Sequence, residues 1–507
     1  MIEKTTPEIL AFLPNLSENI VLTPLSVVND VLDLLPSEVW SNPDLRWLDP
    51  ACKSGIFPRE ITKRLMKGLA HVFPNERLRL DHILKNMVFA FAIDPLGSQI
   101  SRRTLYGSIN AADSKSFVSM PKSDGNIWYG DVSHTRKGSG KCVECGAPGV
   151  SPQGAASTRD AYGFIHANGR ASIEKEIEMR FDVVVGNPPY QMSDGGGEGS
   201  SAVPLYHLFV KAAMKLDAQY IAMIIQARWY SGGKGLDDFR DSMLKEAGLA
   251  EIHDFPETDL VFPGITIRGG VCYFLWAHDH VGKSKIINYR KSGPPIAQIR
   301  PLLEDGLSTF VRYNEAISIL NKVRSKGEET YDKRVQSRNP YGIASNFNQF
   351  STKKTSKSTI LLYRSRRGLS ENREVYIRPD QIASNGSFVD RWKVIVSKAS
   401  PGGDAYPHAV FSTPIVAGPS SVSTETYLIV DFVASEFEGN NLVSYMKTCF
   451  FRFLVSLMKN TQNIAKGSFA FVPVIDLSKS WTDDELYEKY GITEEERAFI
   501  AMMVKVI

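Results

Sequence analysis

A rigid loop after a run of strand-forming residues restricts the fold of this chain more than any other segment. Residues 181–186 (Phe-Asp-Val-Val-Val-Gly) have the composition of a buried strand, and Asn187-Pro188-Pro189-Tyr190 follows directly. Because each proline holds φ at about −65°, the loop keeps its shape without an ordering cost when a ligand binds. The amide and the neighbouring carbonyl offer two acceptors to an exocyclic amino group, and the tyrosine offers a ring. The segment predicts a binding loop at the carboxyl edge of a sheet, although a proline-rich turn after a buried strand has the same pattern.

A second loop with ligand-binding character lies nearer the amino terminus. Residues 47–57 (Trp-Leu-Asp-Pro-Ala-Cys-Lys-Ser-Gly-Ile-Phe) are predicted to form a strand, a tight turn and the start of a helix that continues through residues 60–65. Small residues allow the backbone to approach a ligand, and a helix amino terminus favours an electron-rich or anionic group. This turn alone indicates little, but its pairing with the loop at residues 187–190 is characteristic of one family.

The two loops resemble those of amino-methyltransferases that use S-adenosylmethionine, most closely the N6-adenine DNA methyltransferases of restriction-modification systems. Residues 49–57, here called the glycine loop, are similar to the Asp-Pro-x-Cys-Gly-Ser-Gly-x-Phe segment that wraps the methionine end of the cofactor. Lys53 replaces the first glycine, and a lysine would cost roughly 1 kcal/mol or more if that position needed a positive φ. The resemblance implies cofactor contacts from the loop residues Asp49, Pro50, Ala51, Cys52, Ser54, Gly55 and Phe57.

The resemblance implies two further cofactor contacts. Thr23-Pro24 precedes a helical pattern and is similar to the segment that closes over the methionine moiety, although Thr-Pro is also a common helix cap. Asp94 follows an apolar strand predicted over residues 87–93, where doubly wound folds place an acid that binds ribose hydroxyls. The family usually has a glutamate two residues earlier, at the position of Ala92. The pattern does not place the acid that contacts the adenine of the cofactor, for which Asp131 is one candidate.

The resemblance also implies how the methyl group is transferred. Adenine N6 is a poor nucleophile because its lone pair is delocalised into the ring. Hydrogen bonds accepted by Asn187 Oδ1 and the Pro188 carbonyl favour a pyramidal nitrogen, while Pro189 holds the loop rigid. Extrusion of the base costs about a few kcal/mol, and stacking on Tyr190 returns about 1–3 kcal/mol. Phe262 is the candidate for the second face of the base, although a core phenylalanine would fit the same pattern.

Hydrophobic periodicity places these loops in an α/β domain. Helices are predicted over residues 204–216 and 236–249, and strands over residues 220–225, 250–255 and 271–276, the last in a hairpin. We therefore predict a Rossmann-like methyltransferase sheet within a catalytic domain of residues 1–285. The order of Thr-Pro segment, glycine loop, Asn-Pro-Pro-Tyr loop and recognition domain matches the gamma arrangement of the family.

Residues 108–178 interrupt the α/β pattern with a stretch rich in glycine, serine and lysine. Cys142-Val143-Glu144-Cys145 is a Cys-x-x-Cys knuckle, with His134 before it and His166 after it. Two thiolates and two imidazoles would hold a tetrahedral structural zinc that staples this insertion. A metal-free turn is the alternative. A redox pair fits less well, because the knuckle does not open a helix of a thioredoxin-like unit.

The carboxyl-terminal region, residues 286–507, is predicted to be an α+β target-recognition domain. Residues 351–400 contain 11 Lys or Arg against 4 Asp or Glu. Basic residues interleaved with aromatic ones suit phosphate contacts, and the candidates are Arg364, Arg366, Arg367, Lys393 and Lys398. A solvated surface would carry the same charge. One helix is predicted over residues 442–458, and a capped helix start at residues 481–486.

Length and composition agree with these assignments. A chain of 507 residues is expected to form two or three domains. The sequence shows neither a membrane-spanning apolar stretch nor an amino-terminal signal, so we expect a cytoplasmic protein. Its five cysteines argue against a disulfide scaffold.

The expected partners are double-stranded DNA and a separately encoded restriction endonuclease, and no metal-nuclease cluster is recognised in the sequence. Three alternatives stay open at this point. Protein-glutamine N5 methyltransferases share Asn-Pro-Pro-Tyr, because a side-chain amide also presents a planar amino group, and an RNA adenine would fit the same loop. Lys53 and Ala92 also motivate a third alternative, a DNA-binding specificity subunit with an inactive core.

Overall fold

The computed structural model divides into two compact units, Met1–Phe310 and Val311–Ile507. The structure describes residues 22–130, 134–137, 141–146, 162–166, 180–191, 203–233, 235–267, 269–291, 293–307, 309–336, 338–364, 375–399, 407–459 and 463–506. Asp131, Arg366 and Arg367 lie outside these residues. Among the helices that are described, none has the length and apolar character needed to cross a membrane.

A nine-stranded mixed sheet forms the centre of the first unit. In chain order its strands are β1 (Trp47–Cys52), β2 (Val88–Ala92), β3 (Ile127–Trp128), β6 (Val183–Gly186), β7 (Tyr220–Gln226), β8 (Leu249–Phe255), β9 (Val271–Ala277), β10 (Ser284–Asn288) and β11 (Ile296–Arg300). In space the order is β11-β10-β8-β9-β7-β6-β1-β2-β3. β9 runs antiparallel between β7 and β8, which confirms the predicted hairpin.

The order of the strands reverses at β1. β1 pairs in parallel with β2 on one side and with β6 on the other, with Trp47 opposite Val183 and Leu48 opposite Val184. In open α/β sheets, ligands bind outside the carboxyl ends of the strands at such a switch point. The glycine loop runs from the carboxyl end of β1 into α2 and the Asn-Pro-Pro-Tyr loop follows β6, so this topology brings the two predicted binding loops to one place.

Helices cover the sheet, and hydrophobic side chains fill both of its faces. The helices of the first unit are α1 (Leu25–Leu32), α2 (Ile56–Gly68), α3 (Glu76–His82), α4 (Pro95–Tyr106), α5 (Tyr206–Met214) and α6 (Asp237–Lys245). α2 starts within the glycine loop, directly after Gly55, and α4 starts with Asp94 as its amino-terminal cap. The predicted α/β, Rossmann-like architecture is confirmed.

The predicted insertion starts too early in the chain. β3 pairs in parallel with β2 and belongs to the main sheet, so the α/β domain continues at least to Trp128. A small hairpin follows, formed by β4 (Arg136–Lys137) and β5 (Lys141–Cys142). Phe164 packs against Phe91 at a centroid separation of 5.6 Å, which anchors the knuckle region to β2.

The predicted domain boundary at residues 285/286 is also wrong. β10 pairs in parallel with β8, and β11 pairs with β10, so both strands extend the main sheet. Because β11, β10, β8 and β9 are neighbours in this order, residues 284–300 belong to the first unit, which ends at Phe310.

The second unit combines two small sheets with helices, as predicted for an α+β domain. One sheet contains β12 (Ile360–Tyr363), β13 (Val375–Ile377) and β16 (Ser421–Ser423), and the other β14 (Trp392–Ser397), β15 (Ile415–Ala417) and β17 (Tyr427–Val433). The helices are α7 (Asn314–Arg324), α8 (Glu436–Lys447), α9 (Cys449–Met458), α10 (Asp483–Tyr490) and α11 (Glu494–Met503). Thr482 and Glu485 form a capping box, which confirms the predicted start of α10.

The single helix predicted over residues 442–458 is divided in two. Thr448 has an extended backbone, with φ −62° and ψ 149°, and separates α8 from α9. Its Oγ1 accepts a hydrogen bond from Phe451 N at 3.1 Å and so caps α9. Continuous hydrophobic periodicity hid the break, because a threonine cap interrupts the backbone without interrupting the apolar face.

Candidate active site

The two binding loops and the Thr-Pro segment line one recess at the carboxyl edge of β1 and β6. It encloses about 260 Å³ of space without protein atoms, part of it open to solvent. The predicted site residues that line it are Thr23, Asp49, Ala51, Ser54, Gly55, Phe57 and Asn187. Leu22, Lys53 and Ile56 also line it and were not predicted as contacts. Each is a sequence neighbour of a predicted contact, and that adjacency was the only signal in the sequence.

Asn187 is the most informative residue of the recess. Its side chain is only 4% exposed, and its Nδ2 donates to Thr23 Oγ1 at 2.9 Å. Its Oδ1 is buried and has no hydrogen-bond partner within the described structure. A buried, unsatisfied acceptor costs about 1–3 kcal/mol unless a ligand completes it. The site therefore holds an amide oxygen ready for a donor.

The remainder of the Asn-Pro-Pro-Tyr loop is built into the core. Pro188 and Pro189 are buried, and the half-buried Tyr190 ring packs against the hydrophobic clusters on both faces of the sheet. The Tyr190 backbone oxygen accepts from Leu205 N at 3.1 Å. Burial raises the pKa of the Tyr190 hydroxyl well above its ordinary value, so the phenol stays neutral. These contacts hold the loop in place from both faces of the sheet.

The turn of the glycine loop takes its shape from Gly55, whose φ is +73°. A Cβ at this position would lie 2.9 Å from the Ser101 Cα on α4, so both the conformation and the space require glycine. Lys53 is not among the described residues with positive φ, so the strain considered for this lysine does not arise. Its backbone oxygen accepts from Ser101 Oγ at 3.3 Å, which braces the loop against α4.

Asp49 and Lys53 bring opposite charges to the wall of the recess. Asp49 is buried, and desolvation raises the pKa of its carboxyl from 3.8 to about 7, although Ala51 N donates to Oδ1 at 3.0 Å. A Cβ at Gly186 would lie 2.8 Å from the same oxygen, so the glycine before Asn187 makes room for Asp49. Burial lowers the pKa of the Lys53 ammonium to about 8, while Asp49 and Asp94 oppose that shift.

Four predicted cofactor contacts, Pro24, Pro50, Cys52 and Asp94, are not part of the lining of the recess. Asp94 has a local role that explains its position: Oδ1 accepts from Gly97 N at 2.7 Å and caps α4. Its assignment to the cofactor ribose stays a prediction.

Phe262 offers no accessible ring face. Its side chain is 1% exposed and belongs to the hydrophobic cluster that includes Val185, Ile224 and Val271. In the structure Phe262 is a core phenylalanine, which was the alternative prediction for this residue. The predicted stacking on a base would require the ring to leave the core.

The four predicted metal ligands converge. One ligand atom from each of His134, Cys142, Cys145 and His166 lies within 4.8 Å of the others. The Cys142 Sγ–His166 Nε2 distance is 3.6 Å, and the Cys145 Sγ–His134 Nδ1 distance is 3.5 Å. Zinc bonds of about 2.3 Å to sulfur and 2.0–2.1 Å to nitrogen, at tetrahedral angles, separate such atoms by about 3.6 Å.

The orientation of His166 also suits a metal ligand. Its Nδ1 lies 2.8 Å from the Tyr162 carbonyl, to which it donates in the tautomer that leaves Nε2 as the coordinating atom. Metal-bound histidines commonly carry such a second hydrogen bond, which fixes the ring. The donor set and the spacing therefore fit a tetrahedral zinc ion.

The predicted DNA contacts differ in burial and in hydrogen-bond partners. The prediction fails for Lys393, which is 1% exposed and donates from Nζ to the carbonyls of Phe388, Val389 and Arg391 at 2.9–3.1 Å. Lys398 is half-buried, and its Nζ donates to the Glu425 carbonyl. Its role in DNA binding stays a prediction.

Arg364 is also half-buried, and its guanidinium lies 4.3 Å from the centroid of the Phe350 ring. Lys353, Lys354 and Lys357 belong to the same basic stretch and are exposed, but the sequence reasoning did not select them. Unlike Lys393, which lies on β14, these lysines lie in an irregular segment ahead of β12.

Comparison with known proteins identifies the family of this chain. Residues 86–262 match the model of the family described as Eco57I restriction-modification methylase. A Mycoplasma pneumoniae (strain ATCC 29342 / M129 / Subtype 1) protein named "Uncharacterized adenine-specific methylase" is 35% identical over 308 residues, which are 55% of this chain and 72% of that protein. The chain belongs to this family of adenine-specific methylases of the restriction-modification type.

Two solved structures of restriction-modification enzymes each align with 88% of this chain at 12% identity. One is a nuclease-deletion mutant of the Type ISP enzyme LlaGI with a DNA substrate mimic, with a TM-score of 0.45 and 45% of that chain covered. The other is the Type IIL enzyme MmeI with DNA, with a TM-score of 0.43 and 64% of that chain covered. This chain therefore spans about half to two thirds of the length of those enzymes.

Proposed function

We propose that this protein transfers a methyl group from S-adenosylmethionine to N6 of an adenine extruded from double-stranded DNA. The observation that carries the proposal is the buried Asn187 Oδ1, which has no partner among the described residues. An exocyclic amino group supplies the donor that this oxygen lacks. The family membership supports methyl transfer and an adenine, whereas DNA as the substrate and N6 as the atom are the proposed steps.

The lining of the recess carries the kinds of groups that would bind the methionine end of the cofactor. Its wall combines the Asp49 carboxyl, the Lys53 ammonium and the hydroxyls of Thr23 and Ser54. A zwitterionic amino acid next to a sulfonium needs both signs of charge and small polar groups. When bound, S-adenosylmethionine supplies the electrophilic methyl group, and the glycine loop and Thr23 would hold it.

The protein contributes position and hydrogen bonds rather than a titrating catalyst. Asn187 Oδ1 and the Pro188 carbonyl accept from the N6 amino group and direct the nitrogen lone pair towards the methyl group. Tyr190 supports the base by stacking. Alignment of nucleophile, methyl group and leaving sulfur accounts for most of the acceleration in such a site.

The test compares DNA from cells that express the wild type, Asn187→Ala or Asn42→Ala, by long-read sequencing with modified-base detection. Asn42 is exposed and only caps a turn through Asp44 N, so it is a matched control outside the recess. We expect N6-methyladenine at one short motif with the wild type and the control. We expect none with Asn187→Ala, although calorimetry should show cofactor binding close to that of the wild type.

Two results would contradict the proposal. No mark in any sample, with intact cofactor binding, would redirect the search to RNA or a protein glutamine. Loss of cofactor binding together with methylation in Asn187→Ala would remove the specific role of the amide.

We further propose that His134, Cys142, Cys145 and His166 bind one structural zinc ion, supported by their spacing. The ion would join the β4–β5 hairpin to residues 162–166, which pack on the main sheet through Phe164. It lies in an insertion rather than in the recess, so the ion would stabilise the fold and take no part in chemistry.

Elemental analysis of the purified protein tests the zinc site. We expect about one zinc per chain in the wild type and in Cys449→Ser, and a loss of metal in Cys142→Ser. Cys449 is a suitable control because it is buried in the second unit and outside the cluster. A full complement of zinc in Cys142→Ser, or none in the wild type after refolding with zinc, would contradict the site.

The family description also motivates a partner. We propose that a separately encoded restriction endonuclease recognises the same motif. Cleavage of unmethylated DNA, and protection of DNA marked by this protein, would support that pairing.

A further inference from the structure

The hydroxyl of Thr23 lies between the recess and the amide of Asn187. The residue is 8% exposed, lines the recess, and accepts from Asn187 Nδ2 at 2.9 Å through Oγ1. These two residues are 164 positions apart in the chain. The contact therefore links a segment that lines the recess to the loop that bears the free acceptor.

An amide side chain has a donor end and an acceptor end of similar shape. Only the orientation that leaves Oδ1 free can accept from an amino group, because the opposite one would turn Nδ2 towards another donor. A hydroxyl can either accept from Nδ2 or donate to Oδ1, so contact with Thr23 holds the side chain but permits both orientations. The orientation depends on where the hydroxyl sends its own hydrogen.

We propose that Thr23 is a positioning residue that couples occupation of the recess to the orientation of the Asn187 amide. Its hydroxyl donates to an acceptor of the cofactor's methionine moiety, which leaves only its lone pairs for Asn187. Nδ2 must then face Thr23, and Oδ1 must face the substrate. This inference rests on the proposed function, because it requires the recess to be the cofactor site.

We call this coupling of Thr23 to Asn187 the relay. It links cofactor binding to the readiness of the site for the target base. The amide can take either orientation while the recess is empty and is confined to the productive one once the recess is filled, so cofactor binding raises the fraction of molecules that present a competent acceptor to the target base. Thr23 acts through Asn187 and does not itself touch the base.

The experiment observes the amide directly, independently of methyl transfer. Protein with 15N label on asparagine is studied by NMR without ligand and with saturating S-adenosylhomocysteine, the product form of the cofactor. The signal of the Asn187 side-chain NH2 is identified by its absence in Asn187→Ala. The variants are Thr23→Val, which removes the hydroxyl at similar size, and Thr23→Ser, which retains it.

Thr62→Val is the matched control. Thr62 is also buried and donates through Oγ1 to the Pro58 carbonyl at 2.8 Å, but it lies on α2 outside the lining of the recess. Calorimetry sets the ligand concentration so that every variant is saturated.

We expect the Asn187 NH2 signal to shift on ligand binding in the wild type, Thr23→Ser and Thr62→Val, and to stay unchanged in Thr23→Val. At saturating S-adenosylmethionine, the single-turnover rate of Thr23→Val should fall by about tenfold or more, and that of Thr23→Ser by less than about threefold. The same NMR shift in Thr23→Val, or a wild-type rate in that variant, would overturn the relay. If wild-type protein bound no ligand at all by calorimetry, the proposed function would fail first, and the relay with it.

Discussion

At the scale of single residues, the site works through orientation rather than through a titrating catalyst. Asn187 keeps one amide end bound to Thr23 and the other without a partner in the described structure. Gly186, directly before it, leaves space for Asp49 from the neighbouring strand. Substitutions at these positions should therefore alter methyl transfer through geometry, while the acid in the recess should make cofactor binding depend on pH.

The first prediction at this scale concerns Asp49. Its pKa of about 7 lies above the ordinary 3.8, so the carboxyl ionises as the pH rises through about 7. An ionised Asp49 attracts the positively charged cofactor, so affinity should rise by about tenfold between about pH 6 and pH 8. Titration calorimetry at both pH values measures this change.

The same shift has the opposite effect on stability without cofactor. Because the folded state binds the Asp49 proton more tightly than the unfolded state, this contribution to stability is present below pH 3.8 and is lost as the pH rises through about 7. Asp49→Asn should flatten the pH dependence of affinity and remove the stability term. An unchanged affinity profile in that variant would assign the pH effect to another group.

At the scale of elements, secondary structure decides which charged residues can meet DNA. Lys393 lies on β14, where its ammonium is enclosed by three carbonyl oxygens. Lys353, Lys354 and Lys357 lie in an irregular segment ahead of β12, and all three are exposed. The basic composition of residues 351–400 was informative about the region, but the strand pairing assigns one of its lysines to the interior.

Two variants separate these roles. Replacing Lys353, Lys354 and Lys357 together by alanine should weaken binding to non-specific duplex DNA and lower the slope of log affinity against log salt by up to about 3. Lys393→Met should leave that slope unchanged but destabilise the protein by about 1–3 kcal/mol, because three carbonyl oxygens, the buried one of Val389 among them, each lose a hydrogen bond from the ammonium group. Fluorescence anisotropy at several salt concentrations and thermal unfolding measure the two effects. A salt slope altered only by Lys393→Met would reverse the assignment.

At the scale of the whole molecule, the two units differ in how their sheets and hydrophobic cores are built. The first is built around one mixed sheet that extends from β3 to β11, and its hydrophobic clusters cover both faces. The second combines two three-stranded sheets with helices and has its own hydrophobic cluster. The first unit ends at Phe310 because β10 and β11 belong to its sheet. The boundary therefore lies beyond the predicted residue 285.

The local motifs could be recognised in the sequence because their chemistry is local. Prolines hold the Asn-Pro-Pro-Tyr loop, glycine allows the turn at residue 55, and alternating apolar segments predict the α/β sheet. The Cys-x-x-Cys spacing with two histidines also predicted ligands that the structure brings together. The two loops and the Cys-x-x-Cys knuckle depend on neighbours within a few residues, and the sheet depends on a pattern that repeats along the chain.

Other features depend on contacts between distant segments, and no local pattern contains them. The burial of Phe262 and Lys393, the break at Thr448 and the pairing of β10 with β8 arise from packing and backbone pairing in three dimensions. The bond between Thr23 and Asn187 forms because the tertiary structure brings the residues ahead of α1 next to the loop after β6. The local motifs, through their resemblance to a known family, therefore predicted the reaction, whereas tertiary structure decided which atoms are free to carry it out, because burial and hydrogen-bond partners are properties of the folded chain.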